Sequence, residues 1–340
     1  MNYTKLEDIA CALVAAGKGI LAADESFPTI QKRFAAINIE STEENRRAYR
    51  EMLLTTRGIE EFISGIILFD ETIRQKTSDG TLFTDALSRK GIIPGIKVDT
   101  GTVPMPGHPG EKITSGLDGL RERLNKYRDQ GARFAKWRAV ITIGPHMPSR
   151  ACIQANAHQL ALYAALTQES EMVPIVEPEV LMDGDHDIAA CEEATSATLS
   201  AVFSALRDYG VSFEGMLLKP NMIAAGKQSP KQASVAEAAG ATVRTLQRTV
   251  PASVRGIVFL SGGQSPELAT LHLNAMNLRG PLPWELSFSF GRALQDAALK
   301  TWKGSTANVA AAQREFLHRA RCCGAARYGT YSEKMEKMAA

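Results

Sequence analysis

Eight short apolar runs, separated by segments of helical periodicity, constrain this chain more than any other feature of its sequence. They occupy residues 19–23, 63–69, 93–98, 134–137, 172–176, 215–218, 256–260 and 286–290. Runs of this length read as buried strands, and the segments between them carry helix-start signals, such as Ser41 with Glu44 three residues on, ahead of residues 45–56. Strand and helix in alternation require parallel strands joined by helical crossovers. Eight such units in 340 residues favour closure into a (β/α)8 barrel, the TIM-barrel form of the α/β class, over an open doubly wound sheet. The polar residues point the same way. Asp24, Asp70, Lys97, Lys136, Glu177, Lys219, Ser261 and Ser289 all stand at or just past the C-terminal end of a run. A barrel gathers those ends at one mouth, where active sites are built, whereas an open sheet would spread them along an edge.

A core of this size needs apolar material, and hydrophobic residues make up 44% of the chain against 22% charged. The formal net charge is only +2, with basic and acidic residues interspersed, so neither a nucleic-acid nor a membrane-binding surface is implied. The five cysteines show no CxxC or Cys/His ligand spacing, which fits a reducing compartment. Residues 1–16 mix Lys5, Glu7 and Asp8 into an amphipathic pattern and read as an extra, docked N-terminal helix, not as a signal peptide. No window approaches the apolar length of about 20 residues that a spanning helix needs, so a cytoplasmic protein is expected. One barrel domain is expected over residues 1–323. The polar, small-residue-rich stretch 324–340 is expected to be a short mobile tail.

Side chains alternate faces along a strand, so Lys136 and Arg138 share a face, as do Lys97 with Asp99, Glu177 with Glu179, and Leu217 with Lys219. Charges of both signs therefore project together from strand ends. Lys219 directly follows Gly-Met-Leu-Leu, which places an amine at the end of a buried strand. Burial and the cations Lys136 and Arg138 both disfavour its ammonium form, and a neutral amine is a nucleophile toward a ketone. The Schiff base so formed withdraws electrons and lets the adjacent carbon–carbon bond break, with Asp24 and Glu177 at hand for proton transfer. Ser261-Gly-Gly-Gln-Ser265 lies between the seventh run and a helix starting near Pro266, and Phe290-Gly291-Arg292 opens the helix after the eighth. Backbone N–H groups at a helix start, backed by an arginine, bind anions, and barrels commonly hold phosphate after strands seven and eight.

Asp183-Gly-Asp-His-Asp187 is dense in metal-ligand types, yet the six histidines show no HxH or HxxxH grouping, and helix capping is the expected role of that run. No nucleotide fingerprint or P-loop is present, and neither a metal nor a cofactor is called for.

Seven segments resemble the class I fructose-bisphosphate aldolases: Leu21-Ala-Ala-Asp-Glu-Ser26, Gly95-Ile-Lys-Val-Asp99, Phe134-Ala-Lys-Trp-Arg138, Val173-Pro-Ile-Val-Glu-Pro-Glu179, Leu217-Leu-Lys-Pro-Asn-Met222, Phe259-Leu-Ser-Gly-Gly-Gln264 and Ser289-Phe-Gly-Arg-Ala-Leu294. They run in order through almost the whole chain. The resemblance implies a homotetrameric barrel acting on sugar phosphates, with Lys219 as the Schiff-base lysine. It implies that Glu177, Lys136 and Asp24 handle protons and substrate hydroxyls, and that Glu179 supports the lysine. It gives Ser261, Gly262, Gly291 and Arg292 to the phosphate on the ketone-end carbon. Ser26, Thr29 and Lys97 go to the far phosphate, with Lys32, Arg33 and Arg138 nearby. Two departures stand out: Phe27 replaces a small hydroxyl residue of animal relatives, and the longer tail with a closing tyrosine is not matched, the last aromatics here being Tyr328 and Tyr331. The same residues could serve a related aldolase acting on sedoheptulose bisphosphate or fructose 1-phosphate. A catalytically silent scaffold is the alternative outside enzymes, and the intact set of Lys219, Glu177, Lys136 and Asp24 argues against it.

Overall fold

The computed structural model describes residues 3–337. Helix α1 (Tyr3–Leu13) precedes β1 (Gly19–Ala22), α2 (Phe27–Ala35), α3 (Glu43–Leu54), β2 (Ile63–Leu68), α4 (Phe83–Arg89) and β3 (Ile93–Lys97). A hairpin of β4 (Thr102–Pro104) and β5 (Lys112–Thr114) follows, then α5 (Leu120–Asp129), β6 (Phe134–Ile141), α6 (Arg150–Glu169), β7 (Val173–Val180) and α7 (Ile188–Asp208). The chain continues through β8 (Leu217–Leu218), α8 (Val235–Thr249), β9 (Gly256–Phe259), α9 (Pro266–Asn277), β10 (Glu285–Phe290), α10 (Arg292–Trp302) and α11 (Val309–Arg327). The parallel strands close in the order β1-β10-β9-β8-β7-β6-β3-β2, so the eight apolar runs are the eight barrel strands. The hairpin β4-β5 stands apart from the barrel.

Local signals set the helix starts, with small shifts. Thr42, not Ser41, caps α3, accepting from Asn45 N at 3.1 Å. Ser234 and Glu237 form a reciprocal capping box on α8. Ser265 caps α9, with Pro266 in its first turn, where a missing N–H costs nothing.

Strand parity then divides each barrel strand between two jobs. Ile20, Ile67, Phe134, Val173, Ile175, Leu217 and Val258 form one apolar cluster with Leu6, Ala10, Leu13 and Val14, so the amphipathic N-terminal segment docks against the inward faces at the base of the barrel. The alternate residues, such as Ala135, Trp137, Val176, Leu218, Ile257 and Phe259, pack in the larger cluster shared with the surrounding helices. The base is thus filled with hydrocarbon, and the same inward faces turn charged only towards the strands' C-terminal ends. Tight filling explains Gly95: a β-carbon there would stand 2.2–2.5 Å from ring atoms of the buried Phe134. Gly95→Ala is expected to destabilise the barrel by roughly 1–3 kcal/mol through overpacking, read as a lowered urea midpoint, and an unchanged midpoint would contradict this account.

The boundary expected at residue 324 needs correction. Gly324 lies within α11, and a β-carbon on it would stand 2.9 Å from Gly17 O and from the Phe62 ring, so small residues here mark close packing and not disorder. Beyond the helix, Tyr331 is 5% exposed and donates to Glu336 at 2.6 Å, which in turn pairs with Arg319. Residues 338–340 of the expected tail lie outside the described residues.

Candidate active site

Four charged side chains meet inside the barrel mouth. Lys136 on β6 places its Nζ 2.8 Å from Asp24 Oδ2, just past β1, and 3.2 Å from Glu177 Oε2 on β7. The other oxygen of Glu177 lies 3.2 Å from Lys219 Nζ, just past β8. Lys136, Glu177 and Lys219 are all buried. Backbone bonds fix the lysine's place: Lys219 N donates to Val176 O at 2.8 Å, and two residues on the Asn221 carboxamide accepts from Val180 N at 3.1 Å. The acid–base residue expected near Lys219 is the one that touches it. A carboxylate, Glu177, stands between the two lysines, so the amine faces an acid–base group directly.

Burial alone would raise the Asp24 carboxyl, but attraction to Lys136, then to Lys219, the Lys136 hydrogen bond and Lys97 together bring it down to about 2. Lys136 is the converse case. Burial pulls its pKa down, and Asp24, Glu177 and Asp99 outweigh that, holding it well above the usual lysine range. The centre therefore holds one firmly ionised carboxylate and one firm cation beside a glutamate and a lysine.

A second layer lies further out. Arg138 pairs with Glu179, and its backbone N–H donates to Asp99 Oδ2 at 3.3 Å. Asp99 also receives Lys97 Nζ at 2.6 Å. Glu179, expected to support Lys219, has Arg138 as its ion-pair partner instead, and the carboxylate beside the lysine is Glu177. Asp70, at the end of its run, is taken up by Arg74 and Tyr127.

A buried amine touching a carboxylate, with a cation and a second carboxylate behind it, is equipped for imine chemistry on a carbonyl. A family model for class I fructose-bisphosphate aldolase matches residues 5–340. The chain belongs to the class I fructose-bisphosphate aldolase family. A probable class 1 aldolase of Xanthomonas campestris is 58% identical, covering 97% of this chain and 99% of that one. A cytosolic aldolase of Arabidopsis thaliana is 55% identical, covering 93% of this chain and 80% of that one. Among solved structures, Plasmodium falciparum aldolase, in a complex with TRAP and a small-molecule inhibitor, superposes with a TM-score of 0.96 at 50% identity, covering 97% of this chain and 96% of that one. Class I aldolases are metal-independent lyases, and the reaction is the reversible cleavage of fructose 1,6-bisphosphate into dihydroxyacetone phosphate and glyceraldehyde 3-phosphate.

Around the aldolase centre, the sequence-predicted anion residues Ser26 and Thr29 open α2, Gly291 and Arg292 open α10, and Ser261 and Gly262 lie in the loop before α9, while Lys97 and Arg138 stand on β3 and β6. Gly291 is the N-cap of the eleven-residue α10 and offers no side chain to its free N–H groups. Gly262 and Gly263 both adopt positive φ, 60° and 83°, which bends the preceding loop sharply beside Ser261. A side chain on Gly263 would meet Arg292 Nη2 at 3.2 Å, so loop and arginine share one place. Ser26 is the N-cap of α2 with its side chain unused for capping, its Oγ lying 3.2 Å from Thr29 Oγ1. Phe27 leaves that helix start open, because its ring packs edge-on against Phe69 at 5.2 Å and beneath the Arg46 guanidinium. Arg33 is held by Glu25, Gln295, Tyr49 and Asp296, a structural clamp linking α2 to α10, whereas Lys32 is exposed.

Sequence reasoning missed Lys227, whose Nζ lies 2.9 Å from where a β-carbon on Gly263 would stand. The only signal was Gly226-Lys227 following the Lys219 motif, and nothing local says that this segment folds back to the loop at Ser261 to Gly263. The Asp183–Asp187 run behaves as a loop and cap: Asp187 caps α7 from Ala190 N at 2.8 Å, and Asp183 pairs with Lys227. His318, Cys322 and Glu336 also approach one another, but Glu336 already serves Arg319 and Tyr331, so the cluster ties the last segment to α11.

Proposed function

We propose that Lys219 forms the Schiff base through which this aldolase works. The observation that carries the assignment is the 3.2 Å contact between the buried Lys219 amine and Glu177, whose other oxygen faces Lys136. The neutral amine adds to the ketone carbon; Glu177 supplies the proton that lets the hydroxyl leave as water, giving the iminium. The carbon–carbon bond then breaks: the hydroxyl on the far carbon of that bond gives its proton to the Glu177 carboxylate left by the dehydration, the aldehyde departs, and the electron pair flows into the iminium as an enamine. Lys136, kept cationic, stabilises oxyanion character, and Asp24, kept ionised, accepts a hydrogen bond from a sugar hydroxyl. Ser261, Gly262, Gly291 and Arg292 receive the ketone-end phosphate, and Ser26, Thr29 and Lys97 the far one, with Arg138 and Glu179 bracing the wall between. Glu179 thus acts by orienting Arg138.

Borohydride trapping tests the assignment. Reduction in the presence of dihydroxyacetone phosphate is expected to fix one triose per chain on the peptide containing Lys219; label on the peptide containing Lys136 overturns it. Arg292→Ala is expected to raise KM for fructose 1,6-bisphosphate and fructose 1-phosphate alike by about ten- to a hundredfold, the worth of a charge-assisted contact, and an unchanged KM for the monophosphate removes Arg292 from the site. Relative kcat/KM among fructose 1,6-bisphosphate, fructose 1-phosphate and sedoheptulose bisphosphate sets the substrate preference, with the first expected to lead because it alone engages both anion sites at hexose spacing. A cytoplasmic homotetramer is the expected setting. The family resemblance supports the tetramer; the cytosolic Arabidopsis relative supports the compartment, and among the described residues no helix is long and apolar enough to cross a membrane.

A further inference from the structure

Two cations converge over the phosphate loop where the sequence predicted one. Measured from the place a β-carbon on Gly263 would occupy, Lys227 Nζ lies at 2.9 Å and Arg292 Nη2 at 3.2 Å. Lys227 does not reach this place by chance wandering of a long side chain. Gly226 N, Lys227 N and Gln228 N donate to His186 O, Met182 O and Gly184 O at 2.8, 2.8 and 2.9 Å, zipping the segment to the loop after β7. The same loop underlies the glycine pair, since a β-carbon on Gly262 would meet Met182 Sδ at 2.7 Å. Backbone bonds therefore fix the segment of Lys227 to the loop after β7, and that loop packs against the glycine pair beside Arg292.

The third member is an anion. Asp183 Oδ1 lies 2.8 Å from Lys227 Nζ. Its carboxyl is lowered first by the hydrogen bond from Lys227, against some burial, and then by the charges of Lys227, Arg292 and Arg138, so it sits in the field of the cations that line the mouth. Both partners remain accessible, at 39% and 64% side-chain exposure, and an ion pair so exposed is weak enough to be exchanged. A phosphate monoester brings up to two negative charges and three acceptor oxygens to the same cations, against one charge on Asp183.

We propose that Lys227 is a further binding residue for the ketone-end phosphate, and that Asp183 occupies it until that phosphate arrives. The inference rests on the reading that the loop at Ser261 and Gly262 and the start of α10 receive a phosphate monoester. Substrate entry exchanges the Asp183 carboxylate for the ester dianion, and product release returns it. Asp183 so weakens ground-state binding and keeps the cations from being left unpaired.

The two side chains are thereby assigned opposite effects, which a merely structural ion pair does not produce. Lys227→Met is expected to raise KM for fructose 1,6-bisphosphate and fructose 1-phosphate about tenfold with kcat within about twofold, and Lys227→Arg to stay near the parent protein. Asp183→Asn is expected to lower KM about two- to fivefold, because the competitor is removed while the cation stays. If Asp183→Asn and Lys227→Met both raise KM, the pair is structural and the proposal is overturned; a Lys227→Met KM within twofold of the parent overturns it as well. Triose trapping with borohydride in the unsubstituted protein separates the layers. Label on Lys219 with no KM change in Lys227→Met defeats this inference alone, whereas absence of that label defeats the Lys219 reading of the site.

Discussion

Lys219→Met is expected to lower kcat for fructose 1,6-bisphosphate cleavage by about 10⁴-fold or more and to abolish borohydride trapping, while the circular-dichroism spectrum and urea midpoint stay close to those of the parent protein. The size of the loss follows from the kind of step removed. Without the amine there is no iminium, and the electron pair of the breaking bond has nowhere to go. The fold is expected to survive because the strand end is held by main-chain bonds, Lys219 N to Val176 O and Val180 N to the Asn221 side chain, neither of which uses the lysine side chain. Methionine fills a similar volume, and Glu177 keeps Lys136 as a partner, so no buried carboxylate is orphaned. Cleavage at a near-normal rate by this variant would eliminate the covalent route through Lys219.

Much of this was legible because strand parity is a rigid rule. Once Phe134, Val173 and Leu217 are buried inward at the barrel base, Lys136, Glu177 and Lys219 must share their faces two or four residues on, and the structure places them within contact of one another. The pairing inside the cluster was not legible. Sequence spacing puts Glu177 and Glu179 on the same face, but which carboxylate meets Lys219 depends on the stagger between β7 and β8, where Ile175 pairs with Leu217. That register sets Glu177 level with Lys219 and leaves Glu179 to Arg138. Loop-borne contacts were hidden for a different reason: Lys227 reaches Gly263 only through main-chain bonds between two irregular segments, and these have no period to read. The hairpin β4-β5 escaped likewise, since three-residue strands carry too little alternation to stand out. The C-terminal residues were misread because Gly324 and its alanine neighbours signal close helix packing and mobility with the same composition.

Lys136→Met is expected to cost both activity and stability, and the stability loss is expected to depend on pH. In the parent protein the cation lies between two carboxylates, 2.8 Å from Asp24 and 3.2 Å from Glu177, with all three side chains largely sequestered from water. Removing one member of a buried pair leaves the others uncompensated, which costs roughly 3–5 kcal/mol near neutrality. The sign of the pH effect follows from the two shifts. Asp24, lowered from 3.8 to about 2, contributes stability that is present above pH 3.8 and lost as pH falls through about 2. Lys136, raised above its ordinary 10.5, contributes stability that is present below pH 10.5 and lost only at still higher pH. Between about pH 4 and 10 the parent protein therefore keeps both contributions. In the variant, burial still pushes the Asp24 carboxyl up, and the largest opposing attraction is gone, so native Asp24 takes up a proton at a higher pH than before. Protonation relieves the stranded charge. The gap between parent and variant urea midpoints is accordingly expected to be widest at pH 7 and to narrow by pH 4.5, where the parent's own pair is still intact. A gap that stays constant, or widens on acidification, would show that Lys136 stabilises the mouth by packing alone and that Asp24 does not owe its ionised state to it.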